Sequence, residues 1–157
     1  GPGIRPAGRP GGRLAAAGAT GVALFNRFYQ PGIDIEELEV RRDLHLSTSA
    51  ELPLRLRWLA ILSGRLNASL AVTGGVHTAD DVIQALMAGA HAVQMVSALL
   101  MHGPTHLTRV RAELQEWLEK HEYDSLRQLQ GSMNLLHCPN PAAYERANYM
   151  MMLQSWR

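Results

Sequence analysis

The sequence lacks the cysteine pairs, charge excess and long apolar runs that would indicate a disulfide scaffold, a polyanion binder or a membrane protein. Its single cysteine, Cys138, excludes an internal disulfide and fits a reducing compartment. No segment approaches the roughly 18 consecutive apolar residues that a membrane helix needs, and no signal-peptide pattern opens the chain. These absences predict a cytoplasmic protein with no membrane segment.

The charge balance is close to neutral. The sequence has 15 lysines and arginines and 14 acidic residues, which gives a formal net charge of +1. A nucleic-acid-binding domain usually shows a clustered basic face, so no nucleic-acid partner is expected. The 157 residues, 46% of them apolar, are enough to bury a sizeable core.

The composition divides the chain into three parts. Residues 1–13 hold five glycines, three prolines and three arginines, and they show no periodicity. Such a segment cannot offset its ordering entropy by burial, so we expect a disordered or non-native tail. Residues 14–133 form the predicted domain, and residues 134–157 form a predicted C-terminal extension.

Short apolar runs alternate with helical patterns along the predicted domain. The predicted strands are 21–25, 69–72 and 91–96; the predicted helices are 14–17 (a helix end), 52–66, 78–86, one beginning at Pro104, and 124–129. Residues 26–50 are a long polar connection broken by Pro31 and Gly32. This alternation predicts an α/β fold with parallel strands and right-handed crossovers.

The helix over 78–86 carries the clearest boundary signals in the chain. Thr78 is a suitable N-cap, Asp81 stands three residues later, and Gly89 supplies the stop. The strand before this helix and the strand after it each end in a turn of small residues.

The first of these turns is Thr73-Gly74-Gly75, and the second begins with Ser97-Ala98. Glycines let the backbone approach a ligand, and exposed N–H groups at a helix start attract anions. A lone Gly-Gly is equally consistent with a tight connection. Two such turns separated by one βα unit favour a phosphate site, as after strands seven and eight of a (β/α)₈ barrel.

Longer motifs surround these turns and continue along the chain. They are Val72-Thr73-Gly74-Gly75-Val76-His77-Thr78, Met87-Ala88-Gly89-Ala90, Ala98-Leu99-Leu100, His102-Gly103-Pro104 and Tyr123-Asp124-Ser125-Leu126, together with Leu24-Phe25-Asn26-Arg27-Phe28-Tyr29. In these motifs the sequence resembles one enzyme family, the FMN-dependent dihydroorotate dehydrogenases. The last motif is typical of the family's divergent dihydroorotate dehydrogenase-like bacterial group, which the sequence resembles most closely. The resemblance covers 14–133 and is dense from Val72 to Met133.

The resemblance implies the C-terminal part of a TIM (β/α)₈ barrel, about the last three βα units with their C-terminal helices. A complete barrel takes at least roughly 200 residues, so we expect the first five strands to be missing from this incomplete chain. The family's catalytic base, a cysteine or serine, lies earlier in the barrel, so no catalytic residue is expected here. Cys138 lies beyond the last barrel helix and is interpreted as structural or incidental.

The resemblance also implies cofactor and substrate contacts. Gly74 and Gly75 would donate backbone N–H groups to the FMN phosphate, Ser97 and Ala98 would complete that cradle, and Thr73 would lie beside the ribityl chain or the phosphate. Asn26 matches an asparagine that contacts substrate and flavin, although a turn-starting Asn26 explains the sequence equally well. The implied cofactor-binding residues are therefore Thr73, Gly74, Gly75, Ser97 and Ala98, and the implied substrate-binding residue is Asn26.

The sequence departs from the well-studied enzymes in two places. Ser47-Thr48-Ser49-Ala50-Glu51 replaces their glycine-rich flavin loop, and Arg27, Phe28 and Tyr29 replace a small, serine-rich stretch after Asn26. The resemblance therefore implies flavin phosphate binding more firmly than it implies dihydroorotate as the substrate.

Three hypotheses follow. The first is an FMN-dependent oxidoreductase that oxidises the CH–CH bond of a small dihydropyrimidine-type substrate in pyrimidine biosynthesis. The second is an inactive fragment, and the third is a non-redox phosphate-binding barrel such as a phosphosugar isomerase or synthase.

No metal site is expected, because Gly103 and Pro104 separate His102 from His106. A homodimer is left open, since Tyr144, Tyr149 and Trp156 could contact the barrel or a second subunit.

Overall fold

A computed structural model describes residues 12–25 and 30–144 of the chain. Most of the predicted tail (1–11), residues 26–29 with Asn26, and residues 145–157 with Tyr149 and Trp156 lie outside this description. The strands are β1 (Gly21–Leu24), β2 (Gly32–Asp34), β3 (Glu39–Arg41), β4 (Ser69–Thr73) and β5 (Ala92–Gln94). The helices after β1 are α1 (Leu52–Leu62), α2 (Ala79–Ala88), α3 (Ser97–His102), α4 (Thr105–Lys120) and α5 (Leu126–Leu129), with 3₁₀ turns at Ser49–Glu51 and Pro141–Tyr144. A short helical segment over 12–16 precedes β1, where the sequence predicts the end of a helix.

The three predicted parallel strands form one sheet in the order β1-β4-β5. β4 pairs with β1 from Gly21↔Ser69 to Leu24↔Val72, and with β5 up to Thr73↔Gln94. The α/β class and the three strand positions are thus confirmed. Because the strands are parallel, the chain leaves β4 and β5 at the same edge of the sheet, and the two predicted turns emerge side by side.

The connection over 26–50 contains structure that the sequence analysis missed. β2 and β3 form an antiparallel hairpin in which Ile33 pairs with Val40. The Asp34 carboxylate accepts hydrogen bonds from the N–H groups of Glu36 and Glu37, which closes the turn. The hairpin escaped prediction because its strands have three residues each and its apolar pair is exposed, so no buried stripe marks it.

α1 is shorter than the predicted helix over 52–66. It ends at Leu62 because Ser63 leaves the helical region at ψ 131° and Gly64 has a positive φ of 76°. The apolar periodicity beyond Leu62 continues into a turn, which a periodicity argument cannot separate from a further helical turn.

The core lies between α1, α2 and the sheet. Its centre is formed by Leu59 of α1, Leu70 and Val72 of β4, and Leu24 of β1. A second cluster joins α2, α5 and the apolar stripe of α4; its members include Ile83, Leu86, Leu129, Leu114, Trp117 and Leu118. Burial of these side chains fixes the helices on the sheet and so fixes the turns at its edge.

The described portion of the predicted C-terminal extension, residues 134–144, packs beside α1. Leu135 N–H donates to the carbonyl of Ala60, and Asn134 and Cys138 are buried. Burial, and secondarily Cys138, raises the pKa of the Tyr144 hydroxyl above its ordinary value. No helix within 12–25 and 30–144 is long and apolar enough to cross a membrane.

Both ends of α2 follow the sequence signals. The Thr78 hydroxyl accepts a hydrogen bond from Asp81 N–H, the Asp81 carboxylate accepts one from Thr78 N–H, and Gly89 closes the helix in the left-handed conformation. A Cβ on Gly89 would overlap the Ser63 side chain. Glycine at this position therefore meets a steric as well as a conformational requirement.

We predict that Gly89→Ala lowers the free energy of unfolding by about 3 kcal/mol, since overpacking adds to left-handed strain. Gly18→Ala is the matched control, because Gly18 also has a positive φ (97°) but a Cβ there meets nothing within 4 Å. It should cost only about 1 kcal/mol. Urea denaturation of both variants measures the difference; equal losses would show that the Ser63 contact contributes nothing.

Candidate functional site

The two small-residue turns line one cavity of about 240 Å³ at the carboxyl edge of β4 and β5. Its walls come from the turn after β4, the turn after β5 and the segment before α1. The lining residues are Ser47, Thr73, Gly74, Gly75, Val76, Gln94, Val96 and Ser97. Four of the five predicted cofactor residues therefore line the same cavity, and the fifth, Ala98, is fully buried in the first turn of α3.

The turn after β4, Thr73-Gly74-Gly75, is called the glycine turn below. Its backbone conformation explains why glycine occupies positions 74 and 75. Gly74 and Gly75 have φ values of 82° and 83°, in the left-handed region. A Cβ on Gly75 would lie 2.7 Å from the backbone nitrogen of Leu52, and a Cβ on Gly74 would lie 2.8 Å from Nη2 of Arg55. The turn therefore packs closely against the first turn of α1, and the positive φ values together with this packing favour glycine at both positions.

The second turn opens α3. Its N-cap residue, Val96, has no side chain able to bond the first N–H groups of the helix. Helix N-termini leave such N–H groups without intrahelical partners, so they attract anions or water. Ser97 adds a hydroxyl at the cavity wall, and its Oγ accepts a hydrogen bond from Ser47 N–H at 3.1 Å.

Ser47 is a site residue that the sequence analysis noted only as a departure from the family pattern. It is 3% exposed, and its Oγ accepts a hydrogen bond from Gly75 N–H at 3.3 Å. The same Oγ lies 3.3 Å from Nε2 of His77. Ser47 joins two turns that lie 28 and 50 residues further along the chain, and no local sequence signal reports such a contact.

Asp81 fastens the segment before α1 to the start of α2. Its Oδ2 accepts hydrogen bonds from the Ser49 hydroxyl at 2.6 Å, from His77 N–H at 2.9 Å and from Thr78 N–H at 3.0 Å. The carboxylate is buried, so these donors supply the charge-assisted hydrogen bonds that compensate its desolvation. Asp81 therefore positions the wall of the cavity that carries Ser47.

His106 supports the same wall from α4. Its Nε2 donates to the carbonyl of His77 at 2.7 Å, and its Nδ1 accepts from Nη2 of Arg109 at 2.7 Å. Both ring nitrogens are thereby engaged with protein groups, and His102 lies beside the ring at a centroid separation of 4.9 Å. Within the described ranges, no group of three or more histidine, cysteine or carboxylate side chains could hold a metal ion.

Arg55 is the second residue that the sequence analysis missed. It belongs to α1, is 6% exposed, and lies behind the glycine turn without lining the cavity. Nε donates to the carbonyl of Thr73 at 2.7 Å, and Nη1 donates to the carbonyl of Glu51 at 2.7 Å. A lone arginine in an amphipathic helix usually indicates a solvated face, so its sequence context gave no sign of this position.

The architecture is shared with solved structures of a larger enzyme. The ligand-free dihydroorotate dehydrogenase of Eimeria tenella matches with a TM-score of 0.64 and 19% identity, over 79% of this chain and 35% of that one. The same organism's enzyme in complex with ferulenol matches with a TM-score of 0.62 and 19% identity, over 77% and 32%. At this identity the likeness defines the fold, which is the C-terminal part of a (β/α)₈ barrel.

Sequence comparison finds similarity to one enzyme family. The dihydroorotate dehydrogenase family model matches residues 46–118. The catalytic subunit of dihydroorotate dehydrogenase B (NAD(+)) from Shouchella clausii is 31% identical over 124 residues, 75% of this chain and 40% of that protein. A putative dihydroorotate dehydrogenase A (fumarate) from Streptococcus agalactiae serotype Ia is 38% identical over 74 residues, 46% and 24%.

These matches show that the chain is similar to the dihydroorotate dehydrogenase family, both in sequence and in the C-terminal part of the fold. The chain spans between about a quarter and two fifths of the length of these curated relatives. The match over 46–118 includes the cavity-lining residues from Ser47 to Ser97.

We predict that Asp81→Ala lowers the free energy of unfolding by about 3 kcal/mol, because it leaves three donors without their charged acceptor. Asp80→Ala is the control: Asp80 is exposed in the same first turn of α2, and its loss should cost about 0.5 kcal/mol through the helix dipole. Urea unfolding monitored by circular dichroism compares the variants. Similar losses for both would mean that the Asp81 hydrogen bonds do not secure the segment.

Proposed function

We propose that this chain forms the phosphate-binding part of an FMN-dependent oxidoreductase similar to dihydroorotate dehydrogenase. The observation that carries the proposal is the single cavity shared by the Thr73–Val76 turn and the start of α3, at adjacent parallel strand ends. Phosphate groups in (β/α)₈ barrels bind at this kind of position, where backbone N–H groups and a helix start converge.

The dimensions and donors of the cavity fit the phosphate end of FMN. Its volume of about 240 Å³ is below the roughly 300–1,000 Å³ of pockets that hold a complete small ligand. The proposed donors are the N–H groups of Gly74, Gly75, Ser97 and Ala98, with Thr73 beside the ribityl chain. The Gly75 N–H is engaged by Ser47 Oγ, a hydroxyl that can rotate to donate its own proton to an anion.

Bound FMN would supply hydride acceptance, and the described residues would supply binding and orientation. Asn26 is proposed to contact substrate and flavin. Cys138 is buried beyond α5 and does not line the cavity, which agrees with a structural role. The catalytic base is proposed to belong to the earlier part of the barrel, and these residues alone are expected to bind flavin without turnover.

The relatives' names guide the choice of substrate. The two relatives described above are both named for dihydroorotate, a dihydropyrimidine, but their names differ in the electron acceptor, which is fumarate or NAD⁺. We therefore propose a small dihydropyrimidine-type substrate, oxidised at its CH–CH bond in cytoplasmic pyrimidine biosynthesis.

The direct test is to add FMN to the purified chain and follow flavin absorbance and fluorescence, with thermal melting as a second measurement. The proposal expects near-stoichiometric binding and a raised melting temperature. Stabilisation by a phosphosugar without any response to FMN would favour a non-redox phosphate-binding barrel. No response to either ligand would favour an inactive fragment.

We predict that Ser97→Asp weakens FMN binding at least tenfold, because a carboxylate at the cavity wall repels the phosphate. Aspartate is favourable in the first turn of a helix, so α3 should still form. Valine at Gly75 would be a poorer test, since its side chain would collide with the backbone of α1.

Thr108→Asp is the matched control for this experiment. It adds the same charge to an exposed position of α4 that does not line the cavity. Fluorescence titration should give this variant the affinity of the unmodified chain. Equal affinities for the two variants would place the phosphate elsewhere.

A further inference from the structure

We propose that Arg55 is a positioning residue that aims the glycine turn at the phosphate and makes the site prefer a phosphorylated flavin. The inference depends on the proposed flavin function, and it concerns a side chain that does not line the cavity. It draws on the burial of Arg55, its hydrogen bonds, and the geometry of the peptide that it holds.

Arg55 is held in one orientation by several partners. Its Nε donates to the carbonyl of Thr73, its Nη1 donates to the carbonyl of Glu51, and its Nη2 lies 3.6 Å from Oε2 of Glu51. The guanidinium side chain is 7% exposed. A buried charge is strongly destabilising unless it is paired and hydrogen-bonded, and the two carbonyls and the carboxylate meet that requirement here.

The hydrogen bond to Thr73 fixes the direction of the next amide. The carbonyl of Thr73 and the N–H of Gly74 belong to one planar peptide unit, in which a trans bond points them in opposite directions. Among the described residues the only cis bond joins Leu24 to Phe25, so the Thr73–Gly74 bond is trans. Because Arg55 draws the carbonyl toward α1, the Gly74 N–H points away from α1.

The guanidinium also places a positive charge directly behind the turn. A Cβ on Gly74 would lie 2.8 Å from Nη2 and 3.1 Å from the central guanidinium carbon of Arg55. The guanidinium therefore packs directly against the backbone of Gly74. Buried charges are screened by salt less than exposed ones. The Glu51 carboxylate offsets part of the charge, so we assign the larger part of the effect to the direction of the amide.

This arrangement distinguishes a phosphate-directed role from general support of the fold. Support of the fold would affect FMN and riboflavin alike, because the two flavins differ only in the phosphate. A residue that orients an amide toward the phosphate and adds charge behind it should affect FMN alone. The ratio of the two dissociation constants therefore measures the proposed role.

The test is to titrate the chain and its variants with FMN and with riboflavin, following flavin fluorescence. Arg55→Gln should weaken FMN binding at least tenfold and change riboflavin binding less than threefold. Arg55→Lys, which keeps the charge and one donor, should recover part of the FMN preference. Equal weakening of both flavins by Arg55→Gln, or no change in either, would overturn the proposal.

Arg57→Gln provides the matched control. Arg57 lies on the same helix, and its Nε also donates to a backbone carbonyl, that of Tyr144 at 2.9 Å. It does not line the cavity, and its replacement removes the same charge and the same kind of hydrogen bond. Its FMN-to-riboflavin ratio should equal that of the unmodified chain; a matching drop in the ratio would assign the Arg55 result to net charge.

A titration with inorganic phosphate separates this proposal from the flavin function. Two-dimensional ¹H–¹⁵N NMR should show shifts at Gly74 and Gly75 in the unmodified chain, and no such shifts in Arg55→Gln. If phosphate gives this result while FMN does not bind, the flavin function fails and the anion-directing role of Arg55 stands. The role of Arg55 is overturned if phosphate shifts neither glycine signal in the unmodified chain. It is also overturned if phosphate shifts both signals as much in Arg55→Gln as in the unmodified chain. Thermal melting of Arg55→Gln checks that this variant is folded. If it is unfolded, the ratio of the FMN and riboflavin dissociation constants of Arg55→Lys decides instead. Equal dissociation constants for the two flavins in Arg55→Lys would contradict the role.

Discussion

The close packing of the Gly74–Gly75 turn against the first turn of α1 is the constraint on which the candidate site depends. Two residues with positive φ bring the chain within backbone contact of Leu52, at a distance that no side chain would permit. This approach puts Arg55 behind the turn and leaves the opposite side of the turn to line the cavity. Conformational freedom at two glycines thus sets both the shape of the site and the position of its nearest buried cation.

The remaining walls are held to this turn by a small buried polar network. Asp81 binds the segment before α1 to the start of α2, and Ser47 links that segment to both turns. Buried polar groups of this kind are costly when one partner is lost, because the others are left without hydrogen bonds. The network therefore couples the stability of α2 to the geometry of the cavity, although Asp81 itself does not line it.

Local signals were sufficient where one element decides its own structure. The Thr78 cap, the Gly89 stop and the three apolar runs predicted α2 and the parallel strands, since caps and burial patterns act over a few residues. The β2–β3 hairpin was missed because Ile33 and Val40 face solvent, and α1 ended earlier than its periodicity predicted. Of the site, the glycine turn and Ser97 were found through their position after strands, while Ser47 and Arg55 were missed because their partners are distant in the chain.

The sequence by itself determined the α/β class, the parallel order of alternating strands and helices, the boundaries of α2, and the resemblance that the family comparison confirmed. These properties follow from short-range patterns and from motifs read in order. Only the tertiary structure decided that the two turns share one cavity, that Ser47 closes it, and that Arg55 lies behind it. Those contacts join residues 18 to 50 positions apart, and they exist only once the parallel strands have aligned the turns at one edge of the sheet.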